Sequence, residues 1–260
     1  MESQGPKALL VVHGEKGGTG KSLFARILVS YLHTIGYTTD QDVSVYDADG
    51  DGQGMQLIRT VPAALPVRIS EPLSGAQILD TLMEDETRQA ALIDLGARQH
   101  RELRDWMAAT DVGALVEDGH LDVTVYWLVG GTLDSVQLLK QYLPDFDECR
   151  CRLVVVRNLF FGMLPAFDND DELQEMLAQR GALIVDLPVL PLQIAQLIDG
   201  IPAALHDIVR PGTKGERPFA EVGFTTQRVL GTWLGDVCTR LEDAQAVPLA
   251  PLDPEPDPLT

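Results

Sequence analysis

The sequence predicts one α/β domain: a mostly parallel, doubly wound sheet with helices on both faces. Two observations carry that prediction. Short apolar runs alternate with stretches of helical periodicity from residue 8 to about residue 242, as a parallel sheet with helical crossovers requires. The first apolar run, at 8–12, then passes through a glycine-rich turn straight into a helical pattern. Strand, glycine-rich turn and helix N-terminus in that order form an anion-binding unit.

Taken in order, the strand candidates are 8–12, 43–47, 91–94, 123–129, 153–157 and 183–187, with 67–70 as a short extra strand. Each is rich in Val, Leu and Ile and is bounded by Gly, Pro, Asp or Asn. Between them the helical period appears at 22–35, 74–86, 99–117, 133–143, 170–180, 192–209 and 219–242. Crossovers of this length run right-handed, which puts a ligand site at the carboxyl ends of the strands. No internal repeat and no second domain interrupts residues 1–243. The last stretch, 244–260, has five prolines, three acidic groups and no lysine or arginine. It reads as an extended or disordered tail.

Bulk composition narrows the function classes. A chain of 260 residues with 45% hydrophobic content buries a sizeable core. The formal net charge of −19 repels nucleic acid and anionic lipid on average. No 18-residue apolar run and no signal-peptide pattern is present, so no membrane helix and a cytoplasmic location are expected. Cys149, Cys151 and Cys238 have no framework spacing and suit free thiols in a reducing compartment.

The chemistry concentrates at Lys16-Gly17-Gly18-Thr19-Gly20-Lys21-Ser22. Glycines let backbone N–H groups curl around an anion, and the helix start adds its own donors. Lys21 is expected on the β- and γ-phosphates and the Ser22 hydroxyl on Mg²⁺. Glu15 stands where a standard phosphate loop has its first glycine. Lys16 is the informative departure. It is one of only five lysines in the chain, and on the outer rim it is placed to reach phosphates bound by another subunit.

Other strand ends supply the rest of a nucleotide site. Asp47 and Asp49 follow the second strand and precede glycines, an acidic loop suited to holding a metal-bound water or orienting an attacking one. Leu92-Ile93-Asp94-Leu95-Gly96 has the Walker B form, with Asp94 toward Mg²⁺ and the Gly96 N–H as a γ-phosphate sensor. Asn158 ends a strand with an amide able to pair with a purine edge. It lacks the Asn-Lys-x-Asp context of guanine readers, which favours adenine. Pro188, after the next strand, can offer backbone groups to the same base.

Together these residues resemble the deviant Walker A P-loop ATPases of the ParA/MinD type. The resemblance rests on the loop at 16–22, the aspartates Asp47 and Asp49, Asp94 and Asn158, in order across roughly residues 8–210. It implies a P-loop NTPase fold, ATP and Mg²⁺ as ligands, slow hydrolysis, and a homodimer formed on ATP. Lys16 would reach the partner's nucleotide, Gly17 would lie where the subunits approach, and Asp49 would assist hydrolysis. A stimulating or cargo protein is the further partner implied. The forms Asp94-Leu95-Gly96-Ala97, Val129-Gly130-Gly131 and Asn158-Leu159-Phe160-Phe161-Gly162 look more like TraL-type conjugal-transfer ATPases than like partition proteins.

Two functions of different class follow. One is a dimerisation switch that positions a cargo, in DNA partition or conjugal transfer. The other is an ATP-dependent metallochaperone or small-molecule ATP-using enzyme on the same fold. Cys149-Arg150-Cys151 would serve the second by sharing a metal between subunits. Arg98, Arg101 and Arg104 recur along one helix as a candidate basic face, with Arg210, Lys214 and Arg217 as a weaker one. Trp106, Trp127 and Trp233 are expected in the core.

Overall fold

The computed structural model describes residues 5–49, 56–148, 150–210, 219 and 222–252. Seven strands form one sheet in the order β3-β2-β4-β1-β5-β6-β7, every pair parallel. They are β1 Lys7–His13, β2 Val43–Asp47, β3 Leu65–Pro66, β4 Ala90–Asp94, β5 Leu121–Val129, β6 Arg152–Asn158 and β7 Leu183–Leu187. The helices are α1 Lys21–Thr34, α2 Gln56–Thr60, α3 Pro72–Glu84, α4 His100–Ala109, α5 Val112–Glu117 and α6 Leu133–Tyr142, then α7 Asp145–Glu148, α8 Pro165–Asp168, α9 Asp171–Arg180, α10 Leu192–Asp199, α11 Leu205–Val209 and α12 Phe224–Asp243. The doubly wound α/β class read from the sequence is the fold observed.

Strand residues divide by parity between two cores. Ala8, Leu10 and Val12 of β1 face one cluster with α1, α2, α10, α11 and α12, while Leu9 and Val11 face the other with α3, α4, α6 and α9. A strand buried on both faces needs no polar alternation, which is why β1 and β4 read as unbroken apolar runs. At the β6–β7 edge, register partners Arg157 and Asp186 add a two-pronged ion pair at 2.6 and 2.9 Å.

Four expectations changed. The short extra strand lies at Leu65–Pro66 and not at 67–70, although the Val67 N–H still donates to the Asp47 carbonyl at 3.0 Å. The helix expected at 99–117 breaks into α4 and α5 at Asp111, whose φ of +52° is left-handed, a conformation aspartate tolerates better than most residues. The helix expected at 192–209 breaks into α10 and α11 at Gly200-Ile201-Pro202, where Pro202 cannot donate and drives Ile201 out of helical geometry.

The fourth is the tail. Residues 244–252 lie on the domain, with Ala246 and Val247 in the core. Buried tyrosine hydroxyls need acceptors. Tyr126 donates to the Ala246 carbonyl at 2.9 Å and Tyr37 to the Ala250 carbonyl at 3.0 Å, while the Leu252 N–H donates to Ile35. The stretch is extended but tied down. Residues 253–260 fall outside the described part.

Candidate functional site

The carboxyl ends of β1, β2, β4, β6 and β7 converge on one edge, and the glycine-rich loop joins β1 to α1 there. Gly20 caps α1 at φ +94°, and a Cβ on it would lie 2.7 Å from the Asn158 amide nitrogen. Both facts demand glycine. Lys21 is buried; its Nζ donates to the Lys16 carbonyl at 3.2 Å, shared with the Thr19 hydroxyl. Burial lowers the Lys21 pKa, while Asp94, Asp49 and Glu15 act to raise it.

Asp94 is fully buried, and among the described residues only the nearby Ser22 hydroxyl and Lys21 ammonium offset its charge, neither in close hydrogen-bond geometry. Desolvation pushes its pKa up to about 7 despite the neighbouring Ser22 hydroxyl and Lys21. A buried carboxylate left open in this way fits a cation. Among the described residues no cluster of three His, Cys, Asp or Glu side chains could hold a metal alone.

Asp94 yields a pH prediction. Its folded-state pKa is raised, so between about pH 4 and 7 the folded chain binds more protons than the unfolded chain. Stability from this group is therefore full at low pH, falls as pH rises toward 7, and levels above it. The loss is at most about 4 kcal/mol. Urea melts of Asp94→Asn should lack that decline relative to the parent chain.

Asp47 and Asp49 differ in role. Both Asp47 oxygens accept backbone N–H groups, from Asp49 and Ile58, each at 3.1 Å. Asp47 thus braces the turn and the start of α2. Asp49 instead lies against Gly96, where an added Cβ would come 2.3 Å from its Oδ1. The continuation of this loop at 50–55 lies outside the described residues. The Gly96 N–H donates to Gln99 Oε1 at 2.6 Å, and Gln99 Nε2 donates to the Ala48 carbonyl at 2.9 Å. Gln99 therefore latches the two acidic strand ends together, a role its sequence context did not signal.

Two adjoining cavities follow the loop. One, of about 450 Å³, is bordered by Gly17, Lys21, Ser22, Asp49 and Arg26. The other, of about 250 Å³, is walled by Leu23, Phe160, Leu187, Leu190 and Trp233. Asn158 and Pro188 also line the second, but their polar groups have partners. The Asn158 amide donates to Thr19 at 2.8 Å and accepts from Phe160 at 3.1 Å. The Pro188 carbonyl accepts from Trp233 Nε1 at 2.9 Å. Asn158 is a brace between β6 and the loop, and Trp233 is a cavity wall as well as a core residue.

Lys16 sits on the exposed rim and pairs with Asp134 of α6 at 3.1 Å. Both side chains are largely exposed, so the pair is worth about 0–1 kcal/mol and yields readily to a stronger anion. Glu15 accepts the His100 N–H at the start of α4 at 2.8 Å. Behind it His13, His100 and Asp145 form a chain, at 3.1 Å and 2.9 Å. Neither this chain nor Asp134 was anticipated. A histidine ending the apolar strand at His13 was the one available hint.

The other candidates are only partly described: Arg98 precedes α4 with a left-handed φ of +65° and so does not share that helix. Arg101 pairs with Asp105, and Arg104 with Asp105 and Asp145, so the expected basic face carries its own carboxylates. Cys151 is buried, its Sγ toward the Phe146 carbonyl, and Cys149 lies outside the described residues, as do Lys214 and Arg217. No helix among the described residues is long and apolar enough to cross a membrane.

A glycine-rich loop closed by Lys21 and Ser22 at the carboxyl edge of a parallel sheet defines the class, a P-loop α/β fold. No family model matches the chain. Protein MobD of Acidithiobacillus ferrooxidans is similar, at 25% identity over 185 residues, covering 70% of this chain and 78% of that protein. The MinD cell division protein of Aquifex aeolicus overlays with a TM-score of 0.47 at 14% identity, over 95% of this chain and all of that one. Chloroplast FtsY of Physcomitrella patens overlays at 0.49 and 15%, over 89% of this chain and 66% of that one.

Proposed function

We propose that the chain is an ATP-binding, slowly hydrolysing switch. Two copies close on ATP, the closed pair recruits a cargo or partner, and hydrolysis resets it. The observation that carries this reading is the gathering of Lys21, Ser22 and Asp49 around a cavity that adjoins an apolar one, with the buried Asp94 carboxylate directly behind Lys21 and Ser22. Phosphates fit the first and a purine the second.

In this reading the loop N–H groups and Lys21 hold the phosphates, and Ser22 and Asp94 hold Mg²⁺, with Asp47 keeping their flank in place. The metal would supply charge neutralisation on the phosphates. Asp49 orients the attacking water. Adenine is favoured because Asn158 is followed by Leu159-Phe160-Phe161, with no carboxylate where a guanine reader carries one. Lys16, whose partner among the described residues is the exposed Asp134 carboxylate, would turn toward a second subunit. A ligand bound only by the dimer stabilises it by about 4 kcal/mol at a thousand-fold excess over Kd. The TraL-like stretches at 94–97 and 158–162 favour a setting in conjugal transfer over plasmid partition.

Sedimentation velocity with ADP, ATP and a non-hydrolysable analogue tests this, with phosphate release followed against protein concentration. The expected result is a dimer with the analogue and specific activity that rises with protein concentration. A monomer under all three conditions with no phosphate release contradicts it.

A further inference from the structure

The two cavities share a short border, and one polar side chain stands on it. Gly18, Gly20, Leu23 and Asp199 line both. Of these four, only Asp199 carries a side-chain acceptor. A nucleotide laid with its phosphates on the loop and its base in the apolar cavity has its ribose at that border. This step rests on the nucleotide-binding reading above.

Asp199 is the last residue of α10, and a buried arginine fixes the segment that carries it. Arg26 lies on α1 within the same helix as Lys21 and is 2% exposed. Its Nη2 donates to the carbonyls of Ile198 and Ala203, both at 3.2 Å, so it grips the chain on each side of Asp199. Its Nη1 lies 3.7 Å from Asp199 Oδ1. The Asp199 side chain itself is 67% exposed. Its position is therefore set from the phosphate-loop helix, while its carboxylate faces open space at the border.

We infer that Asp199 is the ribose-reading residue of this site, accepting the 2′- and 3′-hydroxyls of a purine ribonucleoside triphosphate on its carboxylate. Two oxygens on one planar group match a vicinal diol, and hydroxyl bonds to a carboxylate are stronger than bonds between neutral groups. Arg26 is a positioning residue that acts through Asp199. The site thus selects ribonucleotides over their dideoxy counterparts independently of which purine it prefers.

Calorimetry of the full chain with ATP and GTP, each against its 2′,3′-dideoxy counterpart, tests this. The parent chain should bind the preferred ribonucleotide at least tenfold more tightly than the dideoxy form. Asp199→Ala should lose that ratio, weakening the ribonucleotide while leaving the dideoxy affinity within about threefold. Asp199→Asn, which keeps shape and one acceptor, should give an intermediate ratio. Equal binding of both sugars by the parent, or an equal loss for both in Asp199→Ala, overturns the inference and leaves nucleotide binding standing. A parent chain that binds none of the four nucleotides overturns the nucleotide reading and this inference with it.

Discussion

Replacing Lys21 with alanine is expected to abolish nucleotide binding, with Kd for ATP rising at least a hundredfold to a thousandfold. Lys21 is buried beside Asp94 and Asp49, with its ammonium against the Lys16 carbonyl. Its charge is the internal counterweight both to those carboxylates and to an incoming triphosphate. In a partly dry site, one charge-assisted contact to phosphate is worth a few kcal/mol, and Lys21 would make more than one. The variant also leaves Asp94 with less compensation, so a thermal melt belongs beside the calorimetry. A folded Lys21→Ala protein with parental ATP affinity would remove the loop from the site.

Asp49→Ala is expected to behave in the opposite way: ATP binding within about threefold of the parent, and turnover lower by about a hundredfold to a thousandfold. Loss of a group that acts only on the attacking water lowers kcat without changing ground-state affinity. The geometry allows this separation. Asp49 lies on Gly96 at the cavity border, whereas Asp47, two residues earlier, spends both oxygens on backbone N–H groups. The dimer should then persist on ATP because it is not reset. Parental turnover in Asp49→Ala, measured by phosphate release, would move the role elsewhere.

What was legible in the sequence was local. The loop at 16–22 could be read because its strand, glycines, lysine and helix are contiguous. The buried strands could be read because a sheet covered on both faces needs continuous apolar runs. What was not legible depends on partners distant in sequence or on backbone acceptors, which leave no mark in it. Lys16 meets Asp134 from 118 residues away, and Arg26 meets Ile198 from 172 away. The tail was read as extended or disordered because of its prolines; the bonds that tie down its extended first part run from tyrosine hydroxyls to the carbonyls of Ala246 and Ala250. Composition cannot show these. The four- and five-residue helices α2, α7 and α8 are too short to carry a period. Asn158 lines the apolar cavity, but its amide has partners in Thr19 and Phe160 that only the fold brings near.

The central claim is that this chain works as a pair, and Lys16 tests it most directly. Its side chain is 45% exposed and, among the described residues, pairs with Asp134, while Lys21 bonds its backbone carbonyl, so removing the side chain leaves the core and the Lys21 contact intact. Sedimentation of Lys16→Ala with and without a non-hydrolysable ATP analogue should show parental monomer affinity for nucleotide but a dimer weakened by about tenfold to a thousandfold. Hydrolysis should fall with the dimer. A Lys16→Ala protein that dimerises on the analogue as well as the parent chain does would contradict the account.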